Sequence, residues 1–331
     1  MPAQGLVIGL DSSTQSTKAI AWNKTGELVA EGRADIPMCN PEIGHFQQYP
    51  HDWWQSCLTA LKECIDNLQG EHYSIDGLAI SNQRETLGFL GSDHEPSHPA
   101  MVWLDERSRQ EILDFSESFG AENIHRITGR PPDLTTALYR FIWLRKHNLE
   151  AWNNTRYFVD VQSYLVRNLC GGEYRNGWIS ADPMGIVDMQ SRCWSTEILN
   201  AIELDESQLP TMHPPGTQLG TILPSVAKLT GLPEEARVFA AGGDGQCAGL
   251  GTNCTVPDRA YVNLGTAVVS GIWSPEYRYN TSWRTELAAQ GNGYIYENCL
   301  RSGAFLMNWF VDQFVAHGKA SSADYLSLIH I

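Results

Sequence analysis

The sequence has no closely spaced cysteine pair, few basic residues and no long apolar run. Its eight cysteines include no C-x-x-C pair, which argues against a zinc site and against a small disulfide-bonded scaffold. Lys and Arg total 23 against 38 Asp and Glu, and the resulting net charge of −15 disfavours binding to nucleic acid. We therefore expect free thiols in a reducing compartment and no nucleic-acid partner.

No apolar stretch approaches the roughly 20 residues that a membrane helix needs. The first apolar stretch, residues 6–10, has no basic segment before it and is followed by Asp11, which argues against a signal peptide. With 331 residues and 42% apolar content, the chain can build two cores. These features predict a cytoplasmic protein without a membrane partner.

Apolar patterns along the chain predict alternating strands and helices, which is the α/β class. Short apolar runs predict strands over residues 6–10, 19–22, 28–30, 75–81 and 238–241. Apolar residues at helical spacing predict a helix that begins at Pro50, and further helices over 108–119, 138–147, 161–169, 196–201, 224–229 and 296–315. A change of composition near Ala236 predicts two domains, 1–241 and 242–331.

A hairpin-like pattern occurs twice, once at the start of each predicted domain. Residues 7–10, a hydroxyl-rich turn and residues 20–22 are matched by residues 261–264, a Gly-Thr-Ala turn and residues 268–273. Each copy has a strand, a polar turn large enough for a phosphate, and a second strand. The repeat suggests a duplicated fold with a cleft between its halves.

The first of these turns, Asp11-Ser-Ser-Thr-Gln-Ser16, has the composition of a phosphate-binding loop. Small residues in succession let backbone N–H groups and hydroxyls converge on phosphate oxygens, and Asp11 offers a carboxylate for a hydrated Mg²⁺ ion. An ordinary hairpin turn is the alternative, because Asp and Ser are common turn formers. The residues alone leave both interpretations open.

The segment Gly242-Gly-Asp-Gly-Gln246 lies where a predicted strand meets a predicted helix. Asp244 in this position can act as a general base, with glycines on either side that let a substrate approach closely. One alternative is that Asp244 caps the helix. Another is a dinucleotide-binding loop over Gly243-x-Gly245-x-x-Ala248, but that loop needs an acidic residue at the end of the next strand, where the sequence has Asn263 and Leu264.

Two further segments have the residue types that bind sugar hydroxyls. Arg84 and Glu85 follow the predicted strand 75–81, and Trp103 precedes Asp105 and Arg107. An adjacent arginine and carboxylate can donate to and accept from neighbouring hydroxyls, and an indole ring suits the face of a sugar. A surface ion pair in the first segment and a core tryptophan in the second are the alternatives.

Four segments together resemble the FGGY family of carbohydrate kinases. They are Gly9-Leu-Asp-Ser-Ser-Thr-Gln-Ser16, Trp103-Leu-Asp-Glu-Arg107, Ala241-Gly-Gly-Asp-Gly-Gln246 and Asn263-Leu-Gly-Thr266, in the family's order and spacing. The resemblance covers essentially the whole chain. It implies an actin-like ATPase fold with duplicated ribonuclease H-like domains around a cleft, and ATP-dependent phosphorylation of a sugar or polyol hydroxyl with Mg²⁺.

The resemblance also implies a role for each site residue. Asp244 would be the catalytic base, Asp11 would hold Mg²⁺ through water, and Lys18 would lie near the phosphates. The implied nucleotide-binding residues are Asp11, Ser12, Ser13, Thr14, Gln15, Ser16, Lys18, Gly265 and Thr266. The implied substrate-binding residues are Gln83, Arg84, Glu85, Trp103, Asp105, Arg107, Asp244 and Gln246.

The substrate is less clearly indicated than the reaction. The segment Asn82-Gln-Arg-Glu-Thr86 looks like that of glycerol kinases, whereas Leu134-Thr135 stands where those enzymes would have an aromatic pair. The first phosphate turn and the Trp103 segment are nearer to xylulokinase-like members. We expect a pentulose such as xylulose as the small-molecule partner, with glycerol or another small polyol as the alternative; a homodimer stays open.

The final part of the chain differs from the family pattern. Nothing after Gly293 resembles the family's adenosine-binding glycine segment, so we expect an incomplete second domain. Apolar residues near the end should then be exposed or covered by a partner chain: Phe305, Trp309, Phe310 and Phe314. A sugar-binding module without catalysis is therefore a second hypothesis. An NAD-linked oxidoreductase, which rests only on the glycines around Asp244, is a third.

Overall fold

Strands and helices alternate along the chain, as the sequence predicts. The computed structural model describes residues 4–68, 73–264, 268–300, 303, 306 and 309–315. The strands are β1 (Gln4–Ser12), β2 (Ser16–Trp22), β3 (Leu28–Asp35), β4 (Gln47–Gln48), β5 (Tyr73–Asn82), β6 (Leu87–Leu90), β7 (Pro96–Met101), β8 (Tyr157–Val159), β9 (Arg175–Gly177), β10 (Val187–Asp188), β11 (Cys193–Trp194), β12 (Thr211–His213), β13 (Gln218–Thr221), β14 (Arg237–Phe239), β15 (Ala260–Leu264), β16 (Val268–Ser274), β17 (Arg284–Leu287) and β18 (Tyr294–Leu300). The α-helices are α1 (Pro50–Asp66), α2 (Arg109–Phe115), α3 (Ala121–Thr128), α4 (Leu138–His147), α5 (Leu149–Asn154), α6 (Val161–Cys170), α7 (Trp178–Ala181), α8 (Thr196–Ile202), α9 (Pro224–Thr230) and α10 (Asp244–Gly251).

The first sheet has six strands in the spatial order β13-β14-β5-β1-β2-β3. Strands β1, β2 and β3 form an antiparallel meander, β5 is parallel to β1, and β14 is parallel to β5. Alternate residues of β1, namely Leu6, Ile8 and Leu10, are buried, because successive side chains of a strand point to opposite faces. They share one core with Trp53 and Leu61 of helix α1. The predicted strands and first helix are therefore confirmed in this sheet.

A second, antiparallel sheet has four strands in the order β15-β16-β18-β17. Strands β15 and β16 form the second hairpin that the repeat predicts, with Leu264 opposite Val268. The turn between them, residues 265–267, lies outside the described residues, and with it the predicted phosphate-binding residues Gly265 and Thr266.

The predicted helix over residues 296–315 is wrong in its first part, where the chain forms strand β18. Aromatic and β-branched residues such as Tyr294, Ile295 and Tyr296 favour a strand. Here they pair with β16 on one side and with β17 on the other. Among the later residues that the structure describes there is helical structure, including a π-helical turn over Val311–Val315.

The carboxyl ends of β1, β5 and β14 meet at one edge of the first sheet. The N–H of Gln83 donates to the carbonyl of Ser12 (2.9 Å), and the N–H of Asn82 donates to the carbonyl of Gly242 (3.1 Å). The loops that leave these strands are thereby joined. Open α/β sheets bind their ligands outside this edge. The turn predicted to bind phosphate (residues 11–16, the phosphate turn), Arg84 and Asp244 all follow this edge directly.

Three further expectations from the sequence concern membrane helices, exposed aromatic residues and the domain boundary. No helix among the described residues combines the length and the apolar character needed to cross a bilayer. Trp309, Phe310 and Phe314 are exposed, as predicted, whereas Phe305 lies outside the described residues. The predicted domain boundary falls in the loop between β14 and α10 and stays a prediction.

Candidate active site

The turn between β1 and β2 is closed by Ser13 and leaves backbone donors available. The hydroxyl and the N–H of Ser13 both donate to the carbonyl of Ser16, at 2.9 and 3.0 Å. Within the part of the chain that the structure describes, the N–H groups of Thr14 and Gln15 donate to no protein acceptor. Such N–H groups at the tip of a turn can bind phosphate oxygens.

Thr14 is held in place by two side chains from other segments. The indole Nε1 of Trp103 donates to Thr14 Oγ1 (2.9 Å), and Gln48 Nε2 donates to the Thr14 carbonyl (2.7 Å). Trp103 thus supports the turn, and its predicted contact with a sugar stays a prediction. Lys18 is opposite Asp11 in the β1–β2 register, and its ammonium lies 3.3 Å from the Glu31 carboxylate.

Asp244 is the first residue of α10, after Gly243 at the N-cap. Its Oδ1 accepts from the N–H of Gly245 (2.8 Å) and lies 3.1 Å from Arg84 Nε. About half of the side chain, 49%, is exposed, so the carboxylate can reach a ligand. Burial by the surrounding protein still raises the pKa of Asp244, and the charge of Arg84 partly opposes this. An accessible carboxylate with a raised pKa is suited to accept a proton.

Asp11, at the end of β1, contributes a second carboxylate to the same edge. Its Oδ1 accepts from the Ser81 hydroxyl (2.9 Å). Burial raises the pKa of Asp11, and the negative charge of Asp244 adds to this increase. Among the described residues there is no group of three or more metal-ligating side chains. The two carboxylates therefore fit a Mg²⁺ ion that keeps most of its water or binds phosphate oxygens, which is how this ion is usually bound.

Arg84 lies across the two glycines on either side of Asp244. A Cβ atom on Gly243 would be 2.2 Å from Gln246 Oε1 and 2.7 Å from Arg84 Cδ. One on Gly245 would be 2.9 Å from Glu297 Oε2 and 3.0 Å from Arg84 Cζ. The sequence predicts that these glycines leave room for a substrate. In the structure Arg84, together with Gln246 and Glu297, occupies the space beside them, so both positions must be free of a side chain.

Gly243→Ala should therefore lower the free energy of unfolding by about 1–3 kcal/mol, as overpacking does. The new methyl group would displace Gln246 and Arg84, whose bonds to buried carboxylates prevent an easy shift. Gly251→Ala is the matched control, since a Cβ there meets nothing within 4 Å and alanine favours a helix. Urea unfolding of both variants measures the difference. Equal stability would contradict the assigned positions of Gln246 and Arg84.

Glu85 has a left-handed backbone conformation, with a φ angle of 57°, which is uncommon for a residue with a side chain. Its carbonyl accepts from Arg140 Nη1 (2.7 Å), and its Oε1 accepts from Arg130 Nη1 (2.8 Å). Arg140 is fully buried and also donates to the Trp103 carbonyl (2.9 Å). Arg140 thus joins the two predicted sugar-binding segments and holds the strained conformation of Glu85.

A cluster of charged side chains connects this edge with the second sheet. Its members are mostly buried and paired with one another: Arg84, Glu85, Arg130, Asp182, Arg284, Glu286 and Glu297. Of these residues, the sequence motifs predict only Arg84 and Glu85 as site residues. The signal in the sequence for Arg284 and Glu286 was the pair of charges at alternate positions of a strand, Arg284-Thr-Glu286. Glu297 could not be identified in this way, because the sequence predicts a helix over 296–315.

Four of the predicted substrate-binding residues have buried side chains that bond to protein groups. Arg107 donates to Asp105 through Nε and Nη2, both at 2.8 Å. Gln83 Nε2 donates to Gln48 Oε1 (2.8 Å), and Gln246 Nε2 donates to Asp182 Oδ1 (3.1 Å). Their predicted contact with a sugar stays a prediction, and in the structure they hold the surrounding loops.

Comparison with models of protein families assigns most of the chain to one family. The model of the N-terminal domain of the FGGY family of carbohydrate kinases matches residues 6–251. The chain belongs to this family. The FGGY match includes the phosphate turn, Arg84, Glu85 and Asp244, and it ends at the last residue of α10. Strands β17 and β18, with Glu286 and Glu297, lie beyond it.

Individual FGGY kinases show how far the likeness extends. The xylulose kinase of Staphylococcus xylosus is 23% identical over 303 residues, which are 91% of this chain and 60% of that protein. The glycerol kinase of Lachnoclostridium phytofermentans is 24% identical over 330 residues, 96% of this chain and 65% of that protein. The crystal structure of ligand-bound xylulose kinase from Lactobacillus acidophilus matches with a TM-score of 0.92 at 21% identity, over 98% of this chain and 66% of that chain.

These comparisons confirm the predicted fold, the actin-like ATPase fold of FGGY kinases. The FGGY chain spans between 60% and 66% of the length of these three proteins.

Proposed function

We propose that this FGGY chain provides the sugar cleft and the catalytic base of a kinase that transfers a phosphoryl group from ATP to a sugar or polyol hydroxyl. The proposed substrate class is a pentulose such as xylulose. The observation that carries the proposal is the half-exposed Asp244 carboxylate beside Arg84, at the edge that also bears the phosphate turn. Phosphoryl transfer needs mainly positioned donors and one carboxylate to accept the hydroxyl proton.

The proposed roles follow from the atoms that remain available. The Asp244 carboxylate accepts the proton of the attacking hydroxyl. Within the described residues, Arg84 Nη2 and Glu85 Oε2 make no hydrogen bond to protein. They can therefore donate to and accept from other hydroxyls of the sugar. The N–H groups of Thr14 and Gln15 can bind phosphate oxygens.

ATP with Mg²⁺ is the proposed phosphoryl donor. When bound, Mg²⁺ would neutralise phosphate charge, and Asp11 would hold it through water. The cytoplasm is the proposed compartment, and a homodimer stays a prediction. Neither is needed for the roles assigned to Asp244 and Arg84.

Arg84→Ala should weaken the binding of D-xylulose by roughly 2–4 kcal/mol, because a charged hydrogen bond in a buried site is lost. Affinity for MgATP, or its KM in a longer active polypeptide, should change far less. Calorimetric titration measures both, with Arg109→Ala as control because Arg109 is exposed and, among the described residues, pairs only with Glu106. Thermal melting establishes that the variants are folded. Unchanged affinity for the sugar would leave Arg84 with a structural role alone.

A glycerol kinase is the second candidate. It is favoured by the segment Asn82-Gln-Arg-Glu-Thr86 and by the relative from Lachnoclostridium phytofermentans, whose similarity extends over 96% of the chain. Parallel titrations with D-xylulose and glycerol separate the two candidates, since the proposal requires the pentulose to bind more tightly.

A further inference from the structure

Two strands of the second sheet each place a glutamate against Arg84. Glu286 Oε1 lies 2.5 Å from Arg84 Nη1, and Glu297 Oε1 lies 3.2 Å from the same nitrogen. Both glutamate side chains are fully buried. Arg84 Nε faces Asp244 Oδ1 at 3.1 Å. Because a guanidinium is planar and rigid, contacts that fix Nη1 also fix the direction in which Nε and Nη2 point.

The two glutamates also accept hydrogen bonds from side chains other than Arg84. Arg284 Nε donates to Glu297 Oε1 (2.6 Å), and the Tyr261 hydroxyl donates to Glu297 Oε2. Arg130 Nη2 donates to Glu286 Oε1 (2.8 Å). These groups come from β15, from β17 and from the loop after α3, so the glutamates cannot simply follow a movement of Arg84.

We propose that Glu286 and Glu297 are positioning residues of the candidate active site. They orient Arg84 so that its Nε faces Asp244 and its Nη2 faces the substrate. The second sheet, which lies outside the segment matched by the N-terminal family model, thereby completes a site built on the first sheet. The part of this inference that concerns the substrate rests on the proposed function; the part that concerns Arg84 and Asp244 does not.

Glu286→Gln is the sharpest test, because it removes the charge and keeps the shape. Glu286 Oε1 makes the contacts with the arginines, whereas Oε2 is buried without a hydrogen-bond partner in the structure. An amide nitrogen in the place of Oε2 therefore breaks no existing bond. Glu276→Gln is the matched control, since Glu276 is 63% exposed and pairs with Arg278.

The first measurement needs no ligand. The Arg84 Nε–H signal, assigned in an NMR spectrum by its absence in Arg84→Lys, reports how firmly the guanidinium is held. Its hydrogen exchange should be about ten-fold faster in Glu286→Gln, because a local contact no longer protects it. Exchange in Glu276→Gln should be unchanged. Unchanged exchange in Glu286→Gln, and in Glu297→Gln as the second variant, would overturn the proposal.

The second measurement asks whether Glu286 acts through Arg84. Glu286→Gln should weaken D-xylulose binding by about ten-fold in the natural background and by less than about two-fold in an Arg84→Ala background, because the two effects are coupled. Equal losses in both backgrounds would show that Glu286 acts independently of Arg84 and would overturn the proposal. If the unaltered chain binds neither D-xylulose nor glycerol, the proposed function fails, and the exchange measurement still decides the positioning role.

Discussion

Asp244→Asn is expected to lower the rate of phosphoryl transfer by about 10²–10⁴-fold, the usual contribution of a general base. The rate is measured as the sugar-dependent release of ADP. The polypeptide in this assay also contains the segment that follows the matched part in the FGGY relatives. The Asn oxygen can still accept from the Gly245 N–H, as Asp244 Oδ1 does, and it keeps a polar oxygen beside Arg84 Nε. Affinity for the sugar should therefore stay within a few-fold of the original value.

The same chemical change at an exposed loop position, Asp258→Asn, is the control and should leave the rate unchanged. The raised pKa of Asp244 adds a second expectation. Since only the ionised carboxylate accepts a proton, kcat/KM should fall on the acid side at a pH above the ordinary range for an aspartate. Near-normal turnover by Asp244→Asn would remove Asp244 from the mechanism.

A polypeptide of residues 1–331 is expected to bind the sugar and to show negligible kinase activity. Apolar side chains of the second sheet are exposed, including Val262 at 59% and Leu264 at 76% on β15. Among the described residues, β15 pairs on one side only, with β16. An exposed apolar face of this kind is normally covered. Binding ATP in one productive orientation needs contacts at its adenosine end as well as at its phosphates.

The comparison that tests this expectation is between residues 1–331 and a longer polypeptide carrying the segment that follows in the relatives. Sugar-dependent ADP release should be clear only in the longer form. Binding of a dye that reports exposed apolar surface should decrease in the same comparison. Robust turnover by the 331-residue polypeptide would contradict the expectation and would show that a compact form of the fold suffices.

The fold could be predicted where side-chain periodicity coincides with burial. The alternation of Leu6, Ile8 and Leu10 and the helical spacing after Pro50 reflect one core, so both elements were predictable. Strand β18 was not, because its pairing with β16 and β17 depends on residues distant in sequence. Local aromatic and β-branched content was the only signal for it, and such content depends strongly on context.

The candidate site was predictable as a set of loops, but not as a set of contacts. Motifs placed Asp11, Arg84 and Asp244 at strand ends, and the parallel strands bring those ends together. The partners of Arg84 could not be found in this way, because Glu286 and Glu297 belong to another sheet and no motif includes them. For the same reason the glycine pattern beside Asp244 predicts space for a substrate, whereas Arg84, Gln246 and Glu297 fill that space.

The most direct measurement of the central claim is a calorimetric titration of the unaltered chain with D-xylulose, accompanied by titrations with glycerol, MgATP and NAD. The account predicts that D-xylulose binds at one site per chain, more tightly than glycerol, that Arg84→Ala abolishes most of this affinity, and that NAD does not bind. MgATP should bind weakly. Binding of NAD, or the absence of binding by any sugar or polyol, would contradict the claim that this edge of the first sheet is the substrate site of a carbohydrate kinase.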